Sequence, residues 1–254
     1  MPSVQNFFET KAKTGEWKSL YDLSNPTSYP FVIRIKKTTE MLSEHISGKK
    51  VCDLGCGTGA LIPFVNENKA HYTGVDFSAE MLSKIKNNDK IDNSKIKLIN
   101  MDFKDGNLSE SFDILVGLGF IEYFENPKEI IKKCNKILNK NGLILLSFPN
   151  RLCLDFTLIR SLFLIRFFLK KLFKIGKDNP RRKMWSYNEA IKLFEHGEFE
   201  VLSFKNYYTN LLVYPFTVIF PKLAFKISSA VEKTFLNKVK FLNGGFLILA
   251  KKKF

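Results

Sequence analysis

Residues 51–61 read VCDLGCGTGAL, an apolar run that passes an acid at Asp53 and enters a loop with Gly55, Gly57 and Gly59. That pattern predicts a buried strand, a tight turn and the start of a helix. Glycine accepts φ > 0, and without a Cβ it lets a ligand lie against the backbone. The free N–H groups of the helix point into the same space. A dinucleotide is the first ligand to consider, and the spacing argues against it. The dinucleotide fingerprint is G-x-G-x-x-G, with its third glycine packing helix on strand. Here the order is G-x-G-x-G, with an acid two residues before the first glycine. A second acid, Asp76, ends the apolar run HYTGVDF at 71–77. A carboxylate at that strand end sits across from the glycine loop and can accept two hydrogen bonds from a ribose diol.

D-x-G-x-G-x-G after an apolar strand resembles motif I of the class I S-adenosylmethionine (SAM) methyltransferases. The resemblance implies that Asp53, Gly55, Cys56, Gly57 and Gly59 pass under the amino-acid part of SAM, whose ammonium suits a carboxylate such as Asp53. It implies that Asp76 is the ribose acid, with Phe77 beside it. It sets Asp102, next to Phe103 and just beyond the predicted strand 95–101, against the adenine amino group. GLGFIEYFENP, from Gly117 and Leu118 onward, resembles the segment after strand 4 that passes the methyl group and the acceptor. Many relatives place a histidine where this chain has Tyr123, and some quinone O-methyltransferases use a Glu–His arrangement there to help bind a metal. Glu122 is present and the histidine is absent, so no metal site is carried over. Tyr123 and Glu122 are the candidates for orienting or deprotonating the acceptor, and a structural role suits Tyr123 as well. His45, His71 and His196 fall in no recognised acceptor position. In similar enzymes the segment before motif I folds over the cofactor, and Tyr21, Tyr29 and Arg34 are available there, although aromatic packing on the domain surface explains each of them too.

These residues need a scaffold. Strands are predicted at 51–54, 71–77, 95–101, 112–118, 143–148, 199–205 and 245–250, with helices between them, among them 30–45, 60–68, 79–87 and 127–140. Asn141-Gly142 is expected to end the last of these, and Ser78 to cap the helix that follows it. Strands alternating with helices imply a doubly wound sheet, whose ligands sit at the carboxyl ends of the strands. The expected fold is α/β: a seven-stranded, mainly parallel sheet with strand 7 antiparallel and helical insertions after strands 5 and 6. Residues 1–48 form an arm and helix over the cofactor, read as irregular or short helices over 1–30. Residues 49–254 form the methyltransferase domain, with insertions at about 150–184 and 208–242.

Charge is distributed unevenly. The net charge is +15, with 20 Lys and Arg against 18 Asp and Glu in residues 1–150, and 20 against 7 thereafter. A one-sided basic surface points to nucleic acid or an anionic membrane; a lysine-rich proteome with solvated faces is the plainer account. The stretch LIRSLFLIRFFLKKLFKIGK, at 158–177, placed on a helix sets Arg166, Lys170, Lys174 and Lys177 on one side, with Phe168, Leu172 and Ile175 opposite. That is the composition of an interfacial helix; a lid helix packed on its own domain is the other reading. The second insertion is broken by Pro215 and Pro221, so no continuous spanning helix fits. Ser186-x-x-Glu189 is a capping box. The four cysteines show no metal-like C-x-x-C spacing, and the start MPSVQNFFETKAK has no apolar signal core. The expected location is therefore the cytoplasm, peripheral to the inner face of the membrane.

The resemblance thus implies a SAM-dependent methyltransferase, and the insertions suggest that it acts on the oxygen or nitrogen of a hydrophobic, lipid-like or membrane-associated small molecule. A phospholipid-type head group, a polyprenyl intermediate, or a quinone or tetrapyrrole precursor fits a basic, apolar cap. The alternatives are an RNA methyltransferase and a non-catalytic membrane-binding protein that retains the fold. Nucleic acid is the disfavoured partner, because Leu, Ile and Phe crowd between the basic residues and no Asn/Asp-Pro-Pro-Tyr/Phe motif follows strand 4. A nicotinamide dehydrogenase is disfavoured by the glycine spacing.

Overall fold

The apolar runs of the sequence become the strands of one sheet. In this computed structural model, which describes residues 4–14, 28–89, 91–154, 182–212 and 216–254, seven strands form one sheet in the order β3-β2-β1-β4-β5-β7-β6. They are β1 Lys50–Leu54, β2 His71–Asp76, β3 Ile96–Asn100, β4 Phe112–Gly117, β5 Leu138–Pro149, β6 Phe199–Thr209 and β7 Asn243–Lys252. The first five pair in parallel, and β7 runs antiparallel between β5 and β6. This is the expected seven-stranded architecture. Successive side chains of a strand point to opposite faces. Cys52 and Leu54 of β1 therefore join a core with helix α5 (Pro127–Lys136), while Val51 joins the opposite core with α2 (Tyr29–Leu42) and α3 (Ile62–Glu67).

The strand order reverses between β1 and β4, which opens a crevice at their carboxyl ends. Two helices border it. Helix α1 (Val4–Lys13) is tied to α4 (Ala79–Lys86) by a hydrogen bond from Lys84 to the Ala12 carbonyl. Ser78 caps α4, its hydroxyl accepting from the Met81 N–H at 3.3 Å.

One local expectation is corrected. Asn141-Gly142 does not end a helix: α5 stops at Lys136, and β5 already pairs at Leu138 with Phe112. The pairing then shifts register, with Asn141 left-handed at φ 63. A Cβ on Gly142 would lie 2.8 Å from Leu138 Cδ2, so the pair serves an irregularity inside the strand.

The first insertion leaves and returns at one place. Trp185 N–H donates to the Pro149 carbonyl at 2.9 Å, and Arg151 N–H to the Trp185 carbonyl at 2.9 Å. The predicted basic helix, with Arg166, Lys170, Lys174 and Lys177, lies outside the described residues, as does Tyr21. Beyond it, Ser186 and Glu189 form the expected capping box of α6 (Tyr187–His196).

The second insertion contains α7 (Phe216–Ile219) and α8 (Pro221–Val231). The buried Glu232 carboxylate fastens it to the sheet, accepting from Thr209 N–H at 2.9 Å and from Asn237 Nδ2 at 2.7 Å. No helix of the described residues is long and apolar enough to cross a membrane.

Candidate active site

The β1 loop is held by the neighbouring strand. Gly55 and Cys56 donate their N–H groups to the Val75 carbonyl at 2.8 and 3.1 Å. Gly55, Gly57 and Gly59 all have positive φ, at 69, 53 and 75, a conformation in which a Cβ is costly. Gly59 has a second reason to be glycine, since a Cβ there would lie 2.4 Å from Ile62 Cδ1.

Asp76 ends β2 across from this loop. Its Oδ2 accepts from Gly57 N–H at 2.8 Å and its Oδ1 from Ser78 N–H at 2.9 Å. Each carboxylate oxygen keeps a further lone pair, so the acid is oriented by the backbone and still able to accept from a ligand. Burial raises its pKa, and the two N–H donors pull it back.

Asp53 lies behind the loop, buried, and accepts from the Tyr72 hydroxyl at 2.9 Å. Burial pushes its carboxyl up from 3.8 to about 7, against the Tyr72 hydrogen bond, with the nearby Asp76 adding to the rise and Arg34 opposing it.

The loop and Asp76 border a cavity of about 510 Å³. Of the sequence candidates, Gly55, Cys56, Gly57, Asp76 and Phe77 line one part of it, and Asp102 and Phe103 another. Leu118, Glu122 and Tyr123 line the wall that follows β4. Asp53, Gly59 and Gly117 are not in the lining; a Cβ on Gly117 would meet Leu146 Cδ2 at 2.7 Å, so this glycine serves packing. Asp102 is exposed and accepts from Lys104 N–H at 2.8 Å. The β4 loop is fixed by Ser147 of β5, whose hydroxyl accepts from Gly119 N–H at 2.8 Å.

Glu122 is buried, with Oε2 lacking a hydrogen-bond partner, and burial raises its pKa while Arg34 and Arg182 oppose the rise. Tyr123 is pushed up to about 12 by burial and then by Glu122. It therefore keeps its proton near neutrality and suits a donor or packing role better than that of a base. Among the described residues no group of three His, Cys, Asp or Glu is placed to hold a metal ion.

Sequence reading left out part of the wall. Val4, Phe7, Phe8 and Lys11 of α1 line the cavity, and Phe8 meets Tyr123 edge-on at 5.3 Å. Their spacing is that of one helix face, and this was the available signal. Arg182 also lines the cavity; no local pattern marks it.

Comparison with known proteins bears on the domain and its fold. Residues 52–144 match the family model for a methyltransferase domain. Residues 52–144 thus carry a methyltransferase domain, and the proteins this chain resembles are class I SAM-dependent methyltransferases. Among curated members, the ubiquinone biosynthesis O-methyltransferase of Idiomarina loihiensis is 32% identical over 142 residues, 54% of each chain. That of Glaesserella parasuis is 28% identical over 222 residues, 83% of this chain and 89% of the relative. The chain thus spans about half the length of several curated methyltransferases it matches, and most of one. The crystal structure of a magnesium protoporphyrin IX methyltransferase from Synechocystis, with bound SAH, superposes with a TM-score of 0.64 at 15% identity, covering 98% of this chain and 97% of the other. That last likeness concerns the methyltransferase fold alone.

Proposed function

We propose that this methyltransferase transfers a methyl group from SAM to an oxygen of a hydrophobic, lipid-like acceptor of the quinone-precursor class. The observation that carries the reading is the oriented Asp76 carboxylate facing the Gly55–Cys56–Gly57 backbone in a cavity large enough for a nucleoside cofactor. The names of the relatives, O-methyltransferases of ubiquinone biosynthesis, support the oxygen acceptor and its lipid-like character. In this reading Asp76 accepts from the ribose, Asp102 faces the adenine, and Asp53 supplies negative potential below the ammonium. The arm that includes α1 forms a cover, with Phe8 between Phe77 and Tyr123. SAM supplies a methyl group already activated on a sulfonium, so the protein's task is alignment and removal of the acceptor proton.

The same proposal includes an anionic membrane surface as the place where the acceptor is met. Its support is the excess of basic residues after 150 and a set of exposed aromatics in the second insertion, Phe216, Phe220, Phe235 and Phe241. Lys222, Lys226, Lys238 and Lys240 stand among them in sequence, as an interfacial surface requires. The test is incubation with labelled SAM and a lipid extract, followed by mass identification of the product. A labelled methyl ether in the apolar fraction is expected; label confined to RNA or protein contradicts it.

A further inference from the structure

The acceptor end of the cavity contains an arrangement that the cofactor does not explain. Glu122 is 5% exposed and lines the cavity, and its Oε2 has no hydrogen-bond partner. A buried carboxylate oxygen without a donor is costly unless a ligand supplies one. Two guanidinium groups line the same cavity, Arg34 from α2 and Arg182 from the segment before α6, and both act on Glu122.

Arg34 is held in place. Its guanidinium acts electrostatically on the buried Tyr207 hydroxyl of β6 and stands over the Phe31 ring at 5.5 Å. It lies against Gly119, where a Cβ would come within 3.1 Å of Nη1. Arg182 is anchored through its neighbour, since Lys183 N–H donates to the Glu122 carbonyl at 2.8 Å. Arg34, Arg182 and Glu122 together carry one net positive charge, and two once the carboxylate takes a proton, while Lys11, Asp76 and Asp102 are the other charged groups of the lining.

We propose that Arg34 and Arg182 are the oxyanion-holding residues of the acceptor subsite, with Glu122 as the proton acceptor. The inference rests on the O-methyltransferase reading. The acceptor hydroxyl donates to Glu122 Oε2; its proton passes to the carboxylate while the guanidinium groups hold the oxygen. As the O–CH3 bond forms, the electron pair of the S–CH3 bond returns to sulfur, and Glu122 later releases the proton to water. The cationic wall supplies the electrostatic stabilisation that such sites draw on most.

The test uses the full chain saturated with SAH, in EDTA, with 4-nitrocatechol as a phenol whose ionisation is visible by absorbance. The bound probe should be about tenfold more ionised than the free probe at the same pH, as expected near fixed cations. R182Q should remove most of that gain with SAH affinity unchanged, R34Q should lower it as well, and R34K should keep much of it. Glu122→Gln should leave the bound probe at least as ionised, because it removes a negative charge. Melting curves establish that each variant is folded; Arg182 is exposed and gives a result even where R34Q does not fold. A probe that fails to bind, or binds with the ionisation of the free phenol, overturns the assignment. So does ionisation that appears only when a divalent cation is added, or a loss of SAH affinity in both arginine variants. Absence of SAH binding to the wild type removes the cofactor reading and this inference together.

Discussion

The buried carboxylates divide into two electrostatic types. Asp76 is oriented by two backbone donors, whereas Asp53 has one phenolic donor and is pushed up from 3.8 to about 7. The folded protein therefore retains a proton on Asp53 that the unfolded chain releases at lower pH. Stability from this group is present below 3.8 and is lost as the pH rises to and beyond about 7. Asp53→Asn does not titrate, so its melting temperature relative to wild type should climb between pH 5 and pH 8; a constant difference would mean that Asp53 is ionised throughout. A cation bound above it reverses the balance. SAM binding near pH 7 should release protons from the wild type and fewer from Asp53→Asn, measured by calorimetry in buffers of different ionisation enthalpy. A second residue-scale expectation concerns Gly57. At φ 53 a β-branched side chain is strained, and Gly57 lines the cavity. Gly57→Val should abolish SAM binding, and retained binding with an unchanged melting curve would show that the loop does not approach the cofactor.

The crossing of β6 and β7 depends on a glycine with no turn to make. Tyr207 and Gly245 are paired residues, and a Cβ on Gly245 would lie 2.3 Å from the Tyr207 hydroxyl and Cζ. Gly245→Ala should therefore lower the melting temperature, by an amount that shrinks in a Tyr207→Leu background; additive effects in that cycle would exclude the contact. This pairing explains part of what the sequence does and does not disclose. The strand-end acids, the glycine loop, the Ser78 cap and the Ser186 box are legible because each depends on residues within a few positions of one another. Asn141-Gly142 misleads, because the same dipeptide that ends helices also serves an irregular strand, and only the pairing of Leu138 with Phe112 decides between them. Tyr207, Arg34 and Arg182 come from β6, α2 and an insertion edge. They meet Glu122 through the sheet order, which no local spacing encodes. Helix α1 was legible in principle from Val4, Phe7, Phe8 and Lys11, but the aromatics there read equally well as surface packing.

Across the whole molecule, the chemistry gathers at the crevice beside β1 and β4, and the basic, apolar material gathers in the two insertions. Each basic residue near an anionic surface contributes about 1 kcal/mol, and salt screens that attraction while leaving apolar burial intact. The protein should sediment with anionic vesicles, weakened but not abolished by high salt. Serine at Phe216, Phe220, Phe235 and Phe241 should remove the salt-resistant part, and glutamine at Arg166, Lys170, Lys174 and Lys177 the salt-sensitive part, with SAM affinity unchanged in both. Indifference to vesicles at low salt would leave the lipid-like acceptor without its surface. The central claim, that the glycine loop and Asp76 hold SAM, is tested most directly by titrating SAM into the wild type and Asp76→Ala by calorimetry. Hydrogen bonds to a charged acceptor contribute about 1.5–3 kcal/mol each, so the variant should bind at least about tenfold more weakly while its melting curve shows a folded protein. Equal affinity in the two proteins, or no binding by the wild type, would contradict the account.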